Sequence, residues 1–222
     1  MTPAALPTDP PAATPSIVLV LASGNAGKLR EFNAALNGEA ARSAGLPPLD
    51  VRPQPSGFEV EETGDSFAAN ARLKAEAVAL ATGCWALADD SGLSVEALGG
   101  APGIHSARYA ASDSERIARL LRELGAQAAA QESSANRRAC FTAALALADP
   151  SGHTVVTVEG ICPGEILTAP RGSGGFGYDP VFLVPEAGLT FAEMDLDQKR
   201  RLGHRGRALA ALLPQLGPLL QP

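Results

Sequence analysis

The side chains best suited to chemistry gather around Asp89 and Asp90, adjacent carboxylates at the end of the apolar run Trp85-Ala86-Leu87-Ala88 and just before Ser91-Gly92. Successive side chains of a strand point to opposite faces. If strand geometry persists to Asp90, one acid therefore enters a site as a metal ligand or general base and the other supports it. Read in isolation, Asp-Asp-Ser-Gly is also ordinary turn composition. Further acids stand upstream in Phe58-Glu59-Val60-Glu61-Glu62-Thr63-Gly64, and cations recur at Lys28, Lys74, Lys199-Arg200-Arg201 and His204-Arg205. Acids and cations distributed in this way are compatible with a small anionic substrate.

The flanking segments must position these groups. Ile17-Val18-Leu19-Val20-Leu21-Ala22 predicts a buried strand, and Ser23-Gly24-Asn25-Ala26-Gly27-Lys28 turns it into a helix with Leu29, Phe32 and Leu36 on one face. Such a turn aims free backbone N–H groups and the positive end of a helix dipole at one point, which suits a phosphate, and Lys28 adds a full charge. It is not a P-loop, because Ala22 and Leu29 stand where that motif requires Gly and Ser or Thr. Plain strand-to-helix connection chemistry is the alternative. The stretch from Gly38 to Gly57 reads as a loop rich in Pro and Gly, and the alternation in Phe58 to Gly64 as a strand end carrying acids. Asp65 or Ser66 caps a helix from Phe67 to Ala81 that Gly83 stops. Asn70 and Lys74 share one face of it. Such a polar pair is commonly solvated, but this helix follows an acidic segment and precedes Asp89-Asp90, so it can aim Lys74 at the same point.

Gly99-Gly100-Ala101-Pro102-Gly103 is a backbone-restricted loop before His105-Ser106-Ala107-Arg108-Tyr109. Ser112 and Glu115 form a capping box for a helix carrying Ile117, Leu120, Leu121 and Leu124 and ended by Gly125. Ala126 to Asn136 reads as a mobile loop. Ala139 to Ala148 and His153 to Ile161 predict a hairpin around Asp149-Pro150-Ser151-Gly152, with Gly164 to Leu167 a further short strand. Gly172 to Gly177 fits GxGxxG, yet no strand leads in and Tyr178-Asp179-Pro180 follows instead of a helix, so a dinucleotide site is rejected. Its glycines suit close approach of the backbone to a ligand, with Phe176 or Tyr178 available for stacking. Two helices close the chain, Asp195 to Arg201 with an Asp195/Gln198 capping box, and His204 to Leu216. Lys199, His204 and Arg205 cluster near the start of the second, where cations oppose the helix dipole and call for an anion or acceptor.

Composition narrows the class. A 222-residue chain is ample for one compact domain, here expected over residues 16–222, and a formal charge of −6 argues against general nucleic-acid binding. Cys84, Cys140 and Cys162 are odd in number and lack CxxC spacing, so neither a disulfide framework nor a structural zinc site is expected, and a reducing cytoplasm is the natural compartment. Residues 1–15, mostly Pro, Ala and Thr, are expected to be a disordered tail. The tail lacks the pattern of a signal peptide, and no later stretch is apolar enough to predict a membrane span.

In order and spacing together, these segments resemble the inosine triphosphate pyrophosphatase family, the dITP/XTP pyrophosphatases that cleanse the nucleotide pool. The similarity runs from Ile17 to Leu213 through the Ser23 to Lys28 turn, Phe67-Ala68-Ala69-Asn70 to Lys74, Asp89 to Leu93, Gly99 to Gly103, Ser106 to Tyr109, Gly174 to Pro180, and Lys199 with His204-Arg205. The resemblance implies an α/β fold with a long, bent mixed sheet and flanking helices, two lobes around a nucleotide cleft, and a homodimer. It implies Mg²⁺-dependent hydrolysis of non-standard purine nucleoside triphosphates (dITP, ITP, XTP) to the monophosphate and pyrophosphate. On matching positions Asp90 is the general base and a magnesium ligand, Glu61 a second ligand, and Ser23, Gly24, Asn25, Ala26, Gly27, Lys28 and Ser91 phosphate contacts. With those roles, Lys28 and Lys74 would stabilise charge that grows on the leaving pyrophosphate. Phe176, Gly177, Tyr178, Asp179, Lys199, His204 and Arg205 match the part that holds base and sugar. Gly203 stands where the family commonly has Ser, although glycine still serves as an N-cap.

Hypoxanthine and xanthine present a keto acceptor at C6 where adenine presents an amino donor. The donors Arg205 and His204 would leave adenine unpaired at a cost of about 1–3 kcal/mol. Two other classes compete. A purine nucleotide-binding sensor that does not hydrolyse would need neither Asp90 nor Glu61, and a two-carboxylate glycosidase would leave Lys28, Lys74 and Lys199 without an anion to meet.

Overall fold

A computed structural model describes residues 16–130 and 136–220. The expected tail at 1–15, residues 131–135 of the expected loop, and 221–222 lie outside the described residues. The elements are β1 (Ile17–Leu21), α1 (Ala26–Leu36), α2 (Glu39–Ser43), β2 (Leu49–Pro53), α3 (Phe67–Thr82), β3 (Trp85–Val95), α4 (Asp113–Ala130), β4 (Arg138–Ala148), β5 (Thr154–Ile166), β6 (Phe182–Val184), β7 (Leu189–Thr190), α5 (Leu196–Leu202) and α6 (His204–Leu219). The seven strands form one sheet in the order β2-β1-β3-β4-β5-β6-β7. Strand β1 is parallel to β2 and β3, and the remaining pairs are antiparallel. This is the mixed α/β sheet with flanking helices that the resemblance implied.

Three apolar clusters hold the sheet to its helices. On one face Leu19, Leu21, Leu87, Leu145 and Leu147 meet Phe32 and Leu36 of α1 and Leu209, Leu212 and Leu216 of α6. On the other, α3 lies against Val20, Ala86, Ala88, Ala144 and Ala146 through Ala71, Ala75 and Val78. Small side chains on both partners let that helix and sheet approach closely. A third cluster joins Leu93, Val95, Phe141 and Ile166 to Leu120 and Leu124 of α4 and to Phe182 and Phe191. Each fully buried Leu or Phe contributes about 1.5–3 kcal/mol, which offsets the cost of burying charge nearby. Strand β3 enters all three clusters, and Asp89, Asp90 and Ser91 sit where they meet.

Several sequence expectations are corrected. Ser91-Gly92 is not a turn, because β3 continues to Val95 with β4 supplying its ladder, Gly92 opposite Thr142 and Leu93 opposite Phe141. The expected loop from Gly38 to Gly57 contains α2 and the edge strand β2, paired in register from Ile17↔Leu49 to Leu21↔Pro53. Phe58 to Gly64 is not a strand: its alternation reflects exposure, and the segment is fixed by Asn70 Oδ1 accepting from Gly64 N at 2.8 Å. Helix α4 passes through Gly125 to Ala130, since one glycine costs only about 1 kcal/mol in a helix and the alanines beyond it favour helix. Gly164 to Ile166 belong to β5 instead of a separate strand.

Candidate functional site

Strand β1 ends at Leu21, opposite Leu87, and Ala22 N donates to Leu87 O at 2.8 Å. Strand β3 runs on beyond that point, which leaves the Asp89 carbonyl facing the open edge. Two ammonium groups reach it from opposite faces of the sheet: Lys28 Nζ of α1 at 3.4 Å and Lys74 Nζ of α3 at 3.3 Å. The crevice lies outside the carboxyl end of β1, whose two parallel neighbours lie on either side of it. Open α/β sheets take ligands at such a switch point. The entry to α1 is built as its sequence demands, with Asn25 Oδ1 accepting from Gly27 N at 2.8 Å and Lys28 N at 3.1 Å, and Ser23 Oγ accepting from Asn25 N at 3.1 Å.

On the α3 face, Lys74 Nζ donates to Asp90 Oδ1 at 2.7 Å and to Glu62 Oε1 at 3.1 Å. Arg108 Nη2 pairs with Glu62 Oε2 at 2.8 Å. The other oxygen of Asp90, Oδ2, is buried without a partner among the described residues. Burial pushes the Asp90 carboxyl above its ordinary pKa, Lys74 opposes that shift, and the charges of Glu62 and Asp89 add to it. Burial lowers the Lys74 pKa, but Asp90 and Glu62 outweigh it, so the amine stays protonated. Glu61, by contrast, is exposed and takes part in none of the ion pairs among the described residues. The acid brought to Asp90 is its neighbour Glu62. Neither Glu62 nor Arg108 was singled out from sequence; the available signal was their position in the acidic stretch and just after the Gly-rich loop.

On the α6 face, Asp89 Oδ2 accepts from Lys28 Nζ at 2.8 Å and from Arg205 Nε at 3.0 Å. Burial works against that carboxylate, but Lys28 and Arg205 hold it well below the usual range. Arg205 also donates through Nη2 to Ser91 Oγ at 2.9 Å. The strand rule therefore holds: Asp89 and Ser91 share one face and Asp90 takes the other. Ser91, matched to a phosphate contact, is engaged by Arg205 here.

The Gly172 to Gly177 loop is tied down on several sides. Asp179 Oδ2 accepts from Phe176 N at 3.1 Å and Lys199 Nζ at 2.5 Å, and Gly177 N donates to Asp113 Oδ2 at 2.7 Å. Gly175, at φ +74°, leaves room for that knot, since a Cβ there would lie 2.0 Å from Asp179 Oδ2. Tyr178 is buried and its hydroxyl donates to Ser106 O at 3.0 Å, so of the two aromatic candidates the half-exposed Phe176 is the one free to stack. Its ring centroid lies 5.4 Å from Arg205 Cζ.

His204 packs beside Phe141, 4.8 Å between centroids, and Phe191 at 5.8 Å, the two phenylalanines themselves lying 5.5 Å apart. Burial, with Arg205 alongside, holds its pKa well below the usual value, so the ring is neutral. The anions called for by cations at the start of α6 are supplied internally, by Asp89 for Arg205 and by Asp179 for Lys199. Gly203 caps α6 without a side-chain hydrogen bond. Helix α6 sits directly on β5 at Gly160, where a Cβ would lie 2.2 Å from His204 O and Ala208 N.

The ordered set of segments that forms this crevice is matched as a whole by a family profile described as the Ham1 family, over residues 19–215. The chain belongs to the Ham1 family. Relatives include a dITP/XTP pyrophosphatase of Synechococcus sp., 58% identical over 92% of each chain. Another, from Parasynechococcus marenigrum, is 59% identical over 91% of this chain and 96% of that protein. Among solved Ham1 structures, the protein from Coxiella burnetii superposes with a TM-score of 0.80 at 40% identity, covering 91% of this chain and 99% of that one. A nucleoside-triphosphatase, dITP/XTP pyrophosphatase from Mycobacterium abscessus gives 0.67 at 40% identity over 90% and 100%. No described helix of this Ham1-family chain is long and apolar enough to cross a membrane.

Proposed function

We propose that the chain hydrolyses non-standard purine nucleoside triphosphates (dITP, ITP, XTP) between the α and β phosphates, releasing the monophosphate and pyrophosphate. The observation that carries this reading is the meeting of Lys28 and Lys74 on the Asp89 carbonyl, beside the buried Asp90 carboxyl group that Lys74 also contacts. Cations from both faces of the sheet are suited to a phosphate chain, and the acid beside them is suited to a general base. A sensor that only binds has no use for the second feature.

Magnesium fits the donor set. It is commonly held by one or two carboxylates together with substrate phosphates, and Asp90 Oδ2 is a buried acceptor in want of a partner. Asp90 and Glu62 would hold the ion, whose chemistry is to screen phosphate charge and to ease deprotonation of the attacking water. Asp90 takes that proton as the water oxygen bonds to the α phosphorus. The bond from the α phosphorus to the bridging oxygen breaks, and the electron pair leaves with pyrophosphate. Lys28 and Lys74 stabilise the charge growing there. Phe176 stacks on the base, and the Arg205 and neutral His204 donors read the keto group at C6. The homodimer and cytoplasmic setting implied by the family resemblance complete the proposal, the first of them to be read by light scattering on the purified chain.

The test offers the protein a panel of purine triphosphates with Mg²⁺ and identifies the anion released. Pyrophosphate from ITP, XTP and dITP with little from ATP is expected. Orthophosphate as primary product would defeat the reaction assignment, and tight binding without turnover would favour the sensor.

A further inference from the structure

We infer that Asp89 is a positioning residue that couples the phosphate end of the site to its base end through a single carboxylate oxygen. The inference rests on the proposed nucleotide reading and goes beyond it, because Asp89 is assigned no contact with substrate, metal or water. Its side chain is fully buried, and the one oxygen Oδ2 accepts from Lys28 Nζ at 2.8 Å and from Arg205 Nε at 3.0 Å. Lys28 projects from the phosphate-facing turn after β1, whereas Arg205 opens α6 beneath Phe176. These cations lie far apart in sequence, and on the proposed reading they serve different parts of the substrate, yet they share one acceptor.

The sharing has a physical consequence. When a phosphate draws Lys28 away from Oδ2, the whole of that acceptor falls to Arg205, which tightens its guanidinium in the orientation set by Ser91 Oγ at 2.9 Å. The reverse also holds, since binding couplings are reciprocal. A nucleotide engaging both ends is thereby favoured over a fragment engaging one. The second oxygen, Oδ1, is buried without a partner among the described residues, so within them the carboxylate is anchored by these two cations. The substitution Asp89→Asn retains the shape of the group and removes the charge that the two cations share.

The experiment measures kcat and KM for ITP and ATP, and ITP affinity by calorimetry, for the full-length protein and for Lys28→Met, Arg205→Met and their combination. Each is made with Asp89 intact and with Asp89→Asn. With Asp89 intact, the combined loss of ITP affinity should depart from additivity by about tenfold, and with Asp89→Asn the two losses should multiply. Asp89→Asn alone should raise KM more than it lowers kcat and should reduce the preference for ITP over ATP about tenfold. Equal losses for ITP and ATP, or unchanged coupling between Lys28 and Arg205, would reduce Asp89 to a purely structural role and overturn the inference. If Asp89→Asn does not fold, the cycle with Asp89 intact decides alone, and additivity there overturns the inference. Absence of pyrophosphate release by the unsubstituted protein would instead count against the proposed reaction, and the calorimetric cycle remains readable in that case.

Discussion

Lys74 Nζ lies 2.7 Å from Asp90 Oδ1, and the same ammonium reaches Glu62 Oε1 at 3.1 Å, so one cation from α3 organises two acids contributed by separate segments. Asp90 is thereby oriented at the edge of the crevice with its second oxygen uncommitted among the described residues. Replacing Asp90 with Asn should lower turnover of ITP at least roughly a hundredfold, as loss of a general base does, while nucleotide still binds. Initial rates paired with calorimetry check both halves, and near-normal turnover would move the base elsewhere.

The acid limb of kcat/KM should report the same group. Only the carboxylate form of Asp90 accepts a proton, and burial raises its pKa. Activity should therefore fall, as pH is lowered, at a value above the ordinary aspartate range. Lys74 opposes the shift, so Lys74→Met should move the limb to still higher pH. A limb that stays fixed in that variant would exclude Asp90 as its source.

Glu61 and Glu62 are separated by a single substitution each. Glu62 shares Lys74 with Asp90, whereas Glu61 is exposed. Glu62→Gln should raise the Mg²⁺ concentration for half-maximal activity by roughly tenfold or more, and Glu61→Gln should leave it nearly unchanged. The opposite ranking would return the metal role to Glu61.

Arg205→Ala should narrow the preference for ITP over ATP by about tenfold to a hundredfold, the cost of one buried donor left without its acceptor. Measured kcat/KM ratios decide it. An unchanged ratio would assign reading of the base to other groups.

Gly160→Ala tests the seating of α6. A methyl group there meets His204 O and Ala208 N at 2.2 Å, and overpacking of this kind costs about 1–3 kcal/mol. Denaturant unfolding should show that loss, accompanied by a higher KM because His204 and Arg205 ride on the same helix. A stability equal to that of the parent protein would mean that α6 has room to shift.

Much of this was legible from residue order. The opposite facing of Asp89 and Asp90 follows from strand periodicity, and the capping boxes at Ser112/Glu115 and Asp195/Gln198 are present as expected. What escaped was decided by tertiary partners. Ser91-Gly92 has turn composition, yet β4 supplies a ladder that carries β3 through it. Strand β2 is flanked by Pro and carries Asp50 and Arg52, so its edge position hides it from any apolar pattern. The choice between Glu61 and Glu62 depends on where an irregular segment bends, and that is set by a hydrogen bond to Asn70 from a helix that follows it.

Strands β3 and β4 run from the two apolar clusters on opposite faces of the sheet into the third, and β5 runs from one of those two into the third. The floor of the crevice is thus a continuous slab, ill suited to swinging open like a jaw. Admission of a nucleotide then falls to the rim, where Glu59 to Gly64 and Gly172 to Gly177 are held by a few named hydrogen bonds, and because Glu62 and Phe176 belong to those segments, whatever moves the rim also moves groups assigned to the substrate.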